Sequence, residues 1–170
     1  MTLLPRTLRL DPSDSVIFPA AAAPGEWAVP GGFCFWDDTE ETLQGKRRQA
    51  FRAGFLGLAS FGWSTLVEVA EATDREAVVA ALAAHILSAY GAPDPTAARA
   101  AAEEEIAFAE SLCQGHAPGT VLALERALEK GEVRERFRTL HRRPASLNSL
   151  PVFAIEEVDE PVERPDLTKL

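Results

Sequence analysis

One stretch limits what this chain can fold into more than any other: Thr120 to Leu140, TVLALERALEKGEVRERFRTL. Lys130-Gly131 suits a two-residue hairpin turn, because Gly accepts the positive φ that such turns require. Closing a ladder there sets Leu128 opposite Val133, Arg126 opposite Glu135, Glu125 opposite Arg136 and Leu124 opposite Phe137. One register thus yields two apolar pairs and two opposite-charge pairs, each stabilising a sheet by about 0.2–1 kcal/mol. The competing reading is a helix, since Val133, Phe137 and Leu140 also fit i, i+4, i+7 spacing. In a strand, Arg134, Arg136 and Arg138 share one face, while Val133, Glu135, Phe137 and Thr139 share the other.

The rest of the chain is read around this hairpin. Thr7 to Phe18 predicts two short strands about an Asp11-Pro12-Ser13-Asp14 turn. Pro19 to Gly25 is a connector. Trp27, Val29, Phe33, Phe35 and Trp36 flank Pro30-Gly31-Gly32 and predict a second hairpin. Aromatics this dense point to core, with an exposed recognition patch as the alternative. A helix capped by Asp38 or Thr39 carries the stripe Leu43, Arg47, Phe51, Phe55 and Leu58, with Lys46, Arg48 and Arg52 opposite; it should fail between Gly57 and Gly62. Ser64 to Ala70 reads as a strand.

Asp74 caps the next helix, whose buried face is Val78, Val79, Leu82, Ile86 and Ala89, with Gly91 beyond its end. Asp94 with Pro95 opens a third helix with Ala102, Ile106, Ala109 and Cys113 on its buried seam. Glu103, Glu104 and Glu105 are read as mostly facing water, and Gly115 as the stop. After a Pro144 to Pro151 connector, Val152 to Val158 reads as the last strand. The acidic tail 159–170 is expected to be mobile. Adjacent strands joined by short turns predict an α+β fold: a mostly antiparallel sheet with about three helices packed on one face, forming a single domain over 1–158.

Net charge bounds the partners. With 26 acidic and 17 basic residues the chain carries −9, which disfavours nucleic acid and anionic membranes. The charge is uneven, for seven of the 17 basic residues fall between Arg126 and Arg143. No apolar run suggests a signal peptide or a spanning helix, and two cysteines make no disulfide framework, so the expected location is cytoplasmic with reduced thiols.

Catalytic constellations do not emerge. His85, His116 and His141 are scattered, with no H-x-x-x-H or C-x-x-C spacing, so no metal or other cofactor is expected. Cys34 and Cys113 read as small buried hydrophobes rather than nucleophiles. Neither Pro30-Gly31-Gly32 nor Gly54-x-x-Gly57 is a phosphate loop. The unusual feature is the basic strand. Arg134, Arg136 and Arg138, with Arg142 and Arg143 nearby, read either as a solvated ladder or as a site for a carboxylate or phosphate. Partners of that kind are an acidic protein or an anionic small molecule, and self-association stays open.

Several phrases also carry a resemblance. PGEWAVPGGFCFWD, GFLGLASFGWSTLVEV, AAAEEEIAFAESLC and GEVRERFRTL resemble an uncharacterised, mainly proteobacterial family of single-domain proteins, across roughly Arg6 to Val158. The resemblance implies a cytoplasmic stand-alone domain and carries over no site. Two functions follow as expectations. One is a non-enzymatic accessory or interaction domain. The other is an anion-binding protein or enzyme with a pocket between sheet and helices near Trp36, Trp63 and the arginines.

Overall fold

The computed structural model describes residues 2–9 and 12–142, together with 153–154 and 160–162; residues 141–142 and those last two segments are described by backbone alone. In chain order the elements are β1 (Thr2–Leu8), α1 (Ser13–Ile17), β2 (Ala28–Val29), a 3-10 turn (Gly32–Phe35), α2 (Gly45–Ala53), β3 (Phe55–Gly57), β4 (Trp63–Ser64) and β5 (Leu66–Ala72). They continue with α3 (Arg75–Ala89), α4 (Pro95–Cys113), β6 (Val121–Glu129), β7 (Glu132–Arg142), β8 (Phe153–Ala154) and β9 (Glu160–Val162). The fold is α+β.

β6 and β7 form the hairpin in the register the side chains dictate, from Glu129 opposite Glu132 through Leu124 opposite Phe137 to Val121 opposite Leu140. Lys130 and Gly131 both take positive φ, +53° and +79°, as a primed two-residue turn demands. The main sheet runs β1-β5-β6-β7-β8, with β9 also paired to β7 and every pairing antiparallel. β2, β3 and β4 make a smaller antiparallel sheet. Strand β5 is central, between β1 and β6.

The long helices follow their caps. Asp74 accepts from the Ala77 N–H and Asp94 from the Ala97 N–H, and Pro95 occupies the first helical position. Val78, Val79, Leu82 and Ile86 of α3 are buried, as are Ala98, Ala102, Ile106, Ala109 and Cys113 of α4. Helix α4 lies on β1 and β2, α3 packs on α4, and α2 lies along β6.

Four expectations are corrected. Residues 7–18 hold one strand end and a helix, not two strands: buried Asp14 sits in α1 and accepts from the Thr65 hydroxyl at 2.6 Å, drawing the segment into a turn. The second hairpin is absent, because Gly31 turns the chain at φ +79° into the 3-10 segment and β2 pairs with β3 instead. Helix α2 starts at Gly45, not near Asp38, whose carboxylate is engaged by Arg47 and by the Thr42 hydroxyl. That helix ends at Ala53, so Phe55 and Leu58 are buried from β3 and the turn after it. Ala89, finally, is exposed on α3. Of the 152–158 strand only Phe153–Ala154 is described, and of the 159–170 tail only Glu160–Val162, which pairs with β7; the remainder lies outside the described residues.

Candidate functional site

Parity along β6 and β7 places Arg126 and Glu135 on the face that carries Leu124 and Phe137. Both are buried, which the hairpin register alone does not announce. The Arg126 Nε donates to Glu135 Oε2 at 3.0 Å. Its other nitrogens donate to the carbonyls of Phe51 at 2.9 Å, Ala50 at 3.3 Å and Pro30. Ala50 and Phe51 lie in the last turn of α2, where a cation is favoured; the Ala50 carbonyl also accepts from the Gly54 N–H at 3.0 Å. The guanidinium also sits 5.6 Å from the Phe35 ring centroid. One side chain therefore ties the hairpin to the end of α2 and to the Pro30-Gly31-Gly32 turn.

A second buried carboxylate fixes that turn from the other side. Glu105 of α4 accepts from the Gly31 N–H at 3.1 Å. This corrects the reading of Glu103 to Glu105 as a water-facing run: Glu104 is exposed, whereas Glu105 is buried. Gly31 is required there, because a Cβ would lie 2.8 Å from the Leu56 Cβ. In the same way Glu26 ties the β3–β4 turn, accepting from the N–H groups of Ala59 and Ser60 and from the Ser60 hydroxyl. Burial pushes its carboxyl up, but those donors together hold it below its ordinary 4.5.

Outside this buried frame two surfaces have binding character. A cleft of about 530 Å³ opens between α2 and β6. Leu43, Phe51, Ala127 and Leu128 give it apolar walls, and Glu40, Arg48, Arg52 and Glu125 give it charge. Arg48 and Arg52 are four residues apart on one helical face, where like charges repel.

The other surface is aromatic. Trp36 is 41% exposed and Tyr90 43% exposed. Both rings meet the buried Phe33 edge-on, at centroid distances of 6.2 and 5.1 Å. His85 extends the group, 5.3 Å from Tyr90 and stacked at 3.5 Å on Phe61. Desolvation lowers the His85 pKa below 6.5. Beneath the rings the Tyr90 hydroxyl donates to the half-buried Cys34 Sγ at 3.1 Å. Burial pushes the Cys34 thiol up to about 11, so it stays protonated at neutral pH. Cys34 lies in the 3-10 turn, not in a strand as expected. Cys113 is buried, and neither cysteine is bridged.

The remaining sequence candidates fall in several places. Arg134, Arg136 and Arg138 share one face of β7, with Arg136 exposed and the other two half-buried. Arg134 lies 3.6 Å from Glu129 and 3.8 Å from Glu132. The Arg142 side chain and all of Arg143 lie outside the described residues. Trp63 is buried, its ring 5.2 Å from Phe35. Neither Trp36 nor Trp63 lines the cleft. Sequence reading did not single out Tyr90, the inward-facing role of Glu105, or the cleft that Arg48 and Glu125 both line. A signal for Arg126 was present in the strand parity that groups it with Leu124 and Leu128.

Residues 1–158 match the family of unknown function DUF6505. The chain belongs to that family. Comparison with curated proteins and with solved structures gave no significant match. Among the described residues of this DUF6505 member, no helix is long and apolar enough to cross a membrane, and no group of three His, Cys, Asp or Glu is placed to hold a metal ion.

Proposed function

We propose that this DUF6505 chain is a non-catalytic accessory domain, cytoplasmic and of mainly proteobacterial distribution, that works by protein–protein contact. The observation that supports it is the pair of exposed rings, Trp36 and Tyr90, resting on one buried phenylalanine. Trp and Tyr dominate the energetics of interfaces, because a large rigid ring buries much area for little lost entropy. Buried ionisable groups support the same reading: Arg126, Glu135, Glu105 and Glu26 are occupied in joining segments of the fold. The test is affinity capture from native lysate with the wild-type chain and with the Trp36→Ala/Tyr90→Ala variant, crosslinked partners being mapped onto the chain. Partners crosslinked near Trp36 and lost from the variant are expected; a variant that retains every partner, with an unchanged melting temperature, overturns the proposal.

A second reading is favoured by one observation, the two arginines on the α2 wall of the cleft. Arg48 and Arg52 would bind an anionic small molecule whose apolar part rests on Phe51 and Leu128. Thermal shift with inorganic phosphate and with dicarboxylates tests this. A rise in melting temperature abolished by Arg48→Ala/Arg52→Ala is expected, and no shift with any of them removes the reading.

A further inference from the structure

The exposed rings do not stand in neutral surroundings. Trp36 opens the run Trp36-Asp37-Asp38-Thr39-Glu40-Glu41, four carboxylates in six residues. Of these, Asp38 is consumed internally: Arg47 donates to it from Nε at 3.0 Å, the Thr42 hydroxyl donates at 2.7 Å, and together they hold its carboxyl below the usual range. Asp37, Glu40 and Glu41 are exposed and form no ion pair among the described residues.

The segment is held in shape. The Asp38 N–H donates to the Phe35 carbonyl at 3.0 Å, the Thr39 N–H to the Thr42 hydroxyl at 2.8 Å, and the Leu43 N–H to the Thr39 carbonyl at 3.1 Å. Arg47 closes it from α2 by donating to the Cys34 carbonyl at 3.3 Å. Trp36 and three unneutralised carboxylates are thus presented on a fixed loop, so little ordering entropy remains to oppose binding.

Arg47 shows what such a surface holds. Its guanidinium lies 5.2 Å from the Phe35 ring centroid while it pairs with Asp38. An aromatic face with a carboxylate beside it is the combined site for a cation, through the ring quadrupole and the charge together. One residue on, exposed Trp36 is followed within five residues by exposed Asp37, Glu40 and Glu41, so the same components, an aromatic ring and carboxylates, lie on one short exposed segment.

We propose that the Trp36–Tyr90 surface docks a basic protein segment, one that sets an arginine or lysine against the Trp36 ring and neighbouring cations against Asp37, Glu40 and Glu41. The occupant follows from charge complementarity, since a cationic segment is attracted both by these carboxylates and by a chain of net charge −9. This rests on the interaction reading above and names the partner for it.

The test uses the full chain and two synthetic peptides of equal length, one rich in arginine and lysine and the other its Glu/Asp counterpart, titrated by Trp fluorescence and calorimetry. The basic peptide should bind, more weakly as salt rises, and the acidic peptide should not. Trp36→Ala should weaken binding about tenfold or more, as for an anchor residue. The Asp37→Asn/Glu40→Gln/Glu41→Gln variant should weaken it and flatten the salt dependence. These positions are exposed, so an unchanged melting temperature confirms that each variant is folded. If the basic peptide fails to bind, or binds both variants as well as wild type, the basic partner is overturned. Cellular partners that depend on Trp36 and Tyr90 but ignore the triple neutralisation would overturn the basic partner and leave the interaction reading standing. If no captured partner depends on Trp36 or Tyr90, both fall.

Discussion

Arg126 and Glu135 face each other across the hairpin at 3.0 Å with side chains shut off from solvent, at 0% and 1% exposure. A buried pair of this kind adds little over an apolar pair, but removing one partner strands a charge and costs about 3–5 kcal/mol. Arg126→Ala should therefore lose about that much in denaturant unfolding, with the Phe51 and Pro30 carbonyls also losing the guanidinium as donor. Arg126→Met/Glu135→Leu should lose less, because no charge remains buried. A single variant within about 1 kcal/mol of wild type would mean that α2 and the Pro30 turn hold without the guanidinium.

Adjacent positions on α4 should behave oppositely. Glu105→Ala leaves the buried Gly31 N–H without its acceptor and should cost about 1–3 kcal/mol. Glu104→Ala, at an exposed position, should stay within about 0.5 kcal/mol. Ile106→Ala should cost about 2–5 kcal/mol as a buried truncation. Urea unfolding of the three variants checks the order, and a large loss at Glu104 would refute it.

Strand parity gives a second contrast. Phe137 is buried among Phe55, Phe108 and Leu124, so Phe137→Asp should leave no cooperative unfolding transition. Arg136 is exposed, and Arg136→Glu should keep the near-UV circular dichroism of wild type. Retention of a native transition by Phe137→Asp would contradict the assignment.

Half-buried His85 and buried Glu26 should make the protein acid-labile in separate windows. His85 is held below its ordinary 6.5 by desolvation, so the unfolded chain binds its proton first. Its contribution is complete above that value and is lost as pH falls through the lower folded-state value. Glu26 is held below 4.5, so its contribution is present above 4.5 and is lost at still lower pH. Melting temperatures should thus decline in two stages on acidification. His85→Gln should remove the upper stage alone; a variant with the wild-type profile there would show that His85 does not set it.

Both thiols should resist reagents while the chain is folded. Burial pushes Cys113 up to about 12 and Cys34 to about 11, and the thiolate is the reactive form. Labelling at mildly alkaline pH should be slow in buffer and complete in denaturant. Rapid stoichiometric reaction of native Cys34 would place it at the open surface instead.

The elements that the sequence by itself determined are those whose partners are close along the chain. The β6–β7 register follows from residues at most 19 apart, matched pair by pair about a Lys-Gly turn. The caps of α3 and α4 come from Asp74 and Asp94 accepting from N–H groups three residues on. Such interactions are specified by short-range spacing, so they can be read before any tertiary contact is known. Tertiary structure decided the rest. Gly31 is held by Glu105 from 74 residues away, and Arg126 reaches Phe51 and Pro30 across 75 and 96 residues. Periodicity marks Arg126 as facing inward, but it cannot say which carbonyls will meet it, nor that α4 will bring a carboxylate to Gly31. A buried ionisable group is tolerable only where the assembled fold supplies its partners, and those partners are brought together by long-range packing.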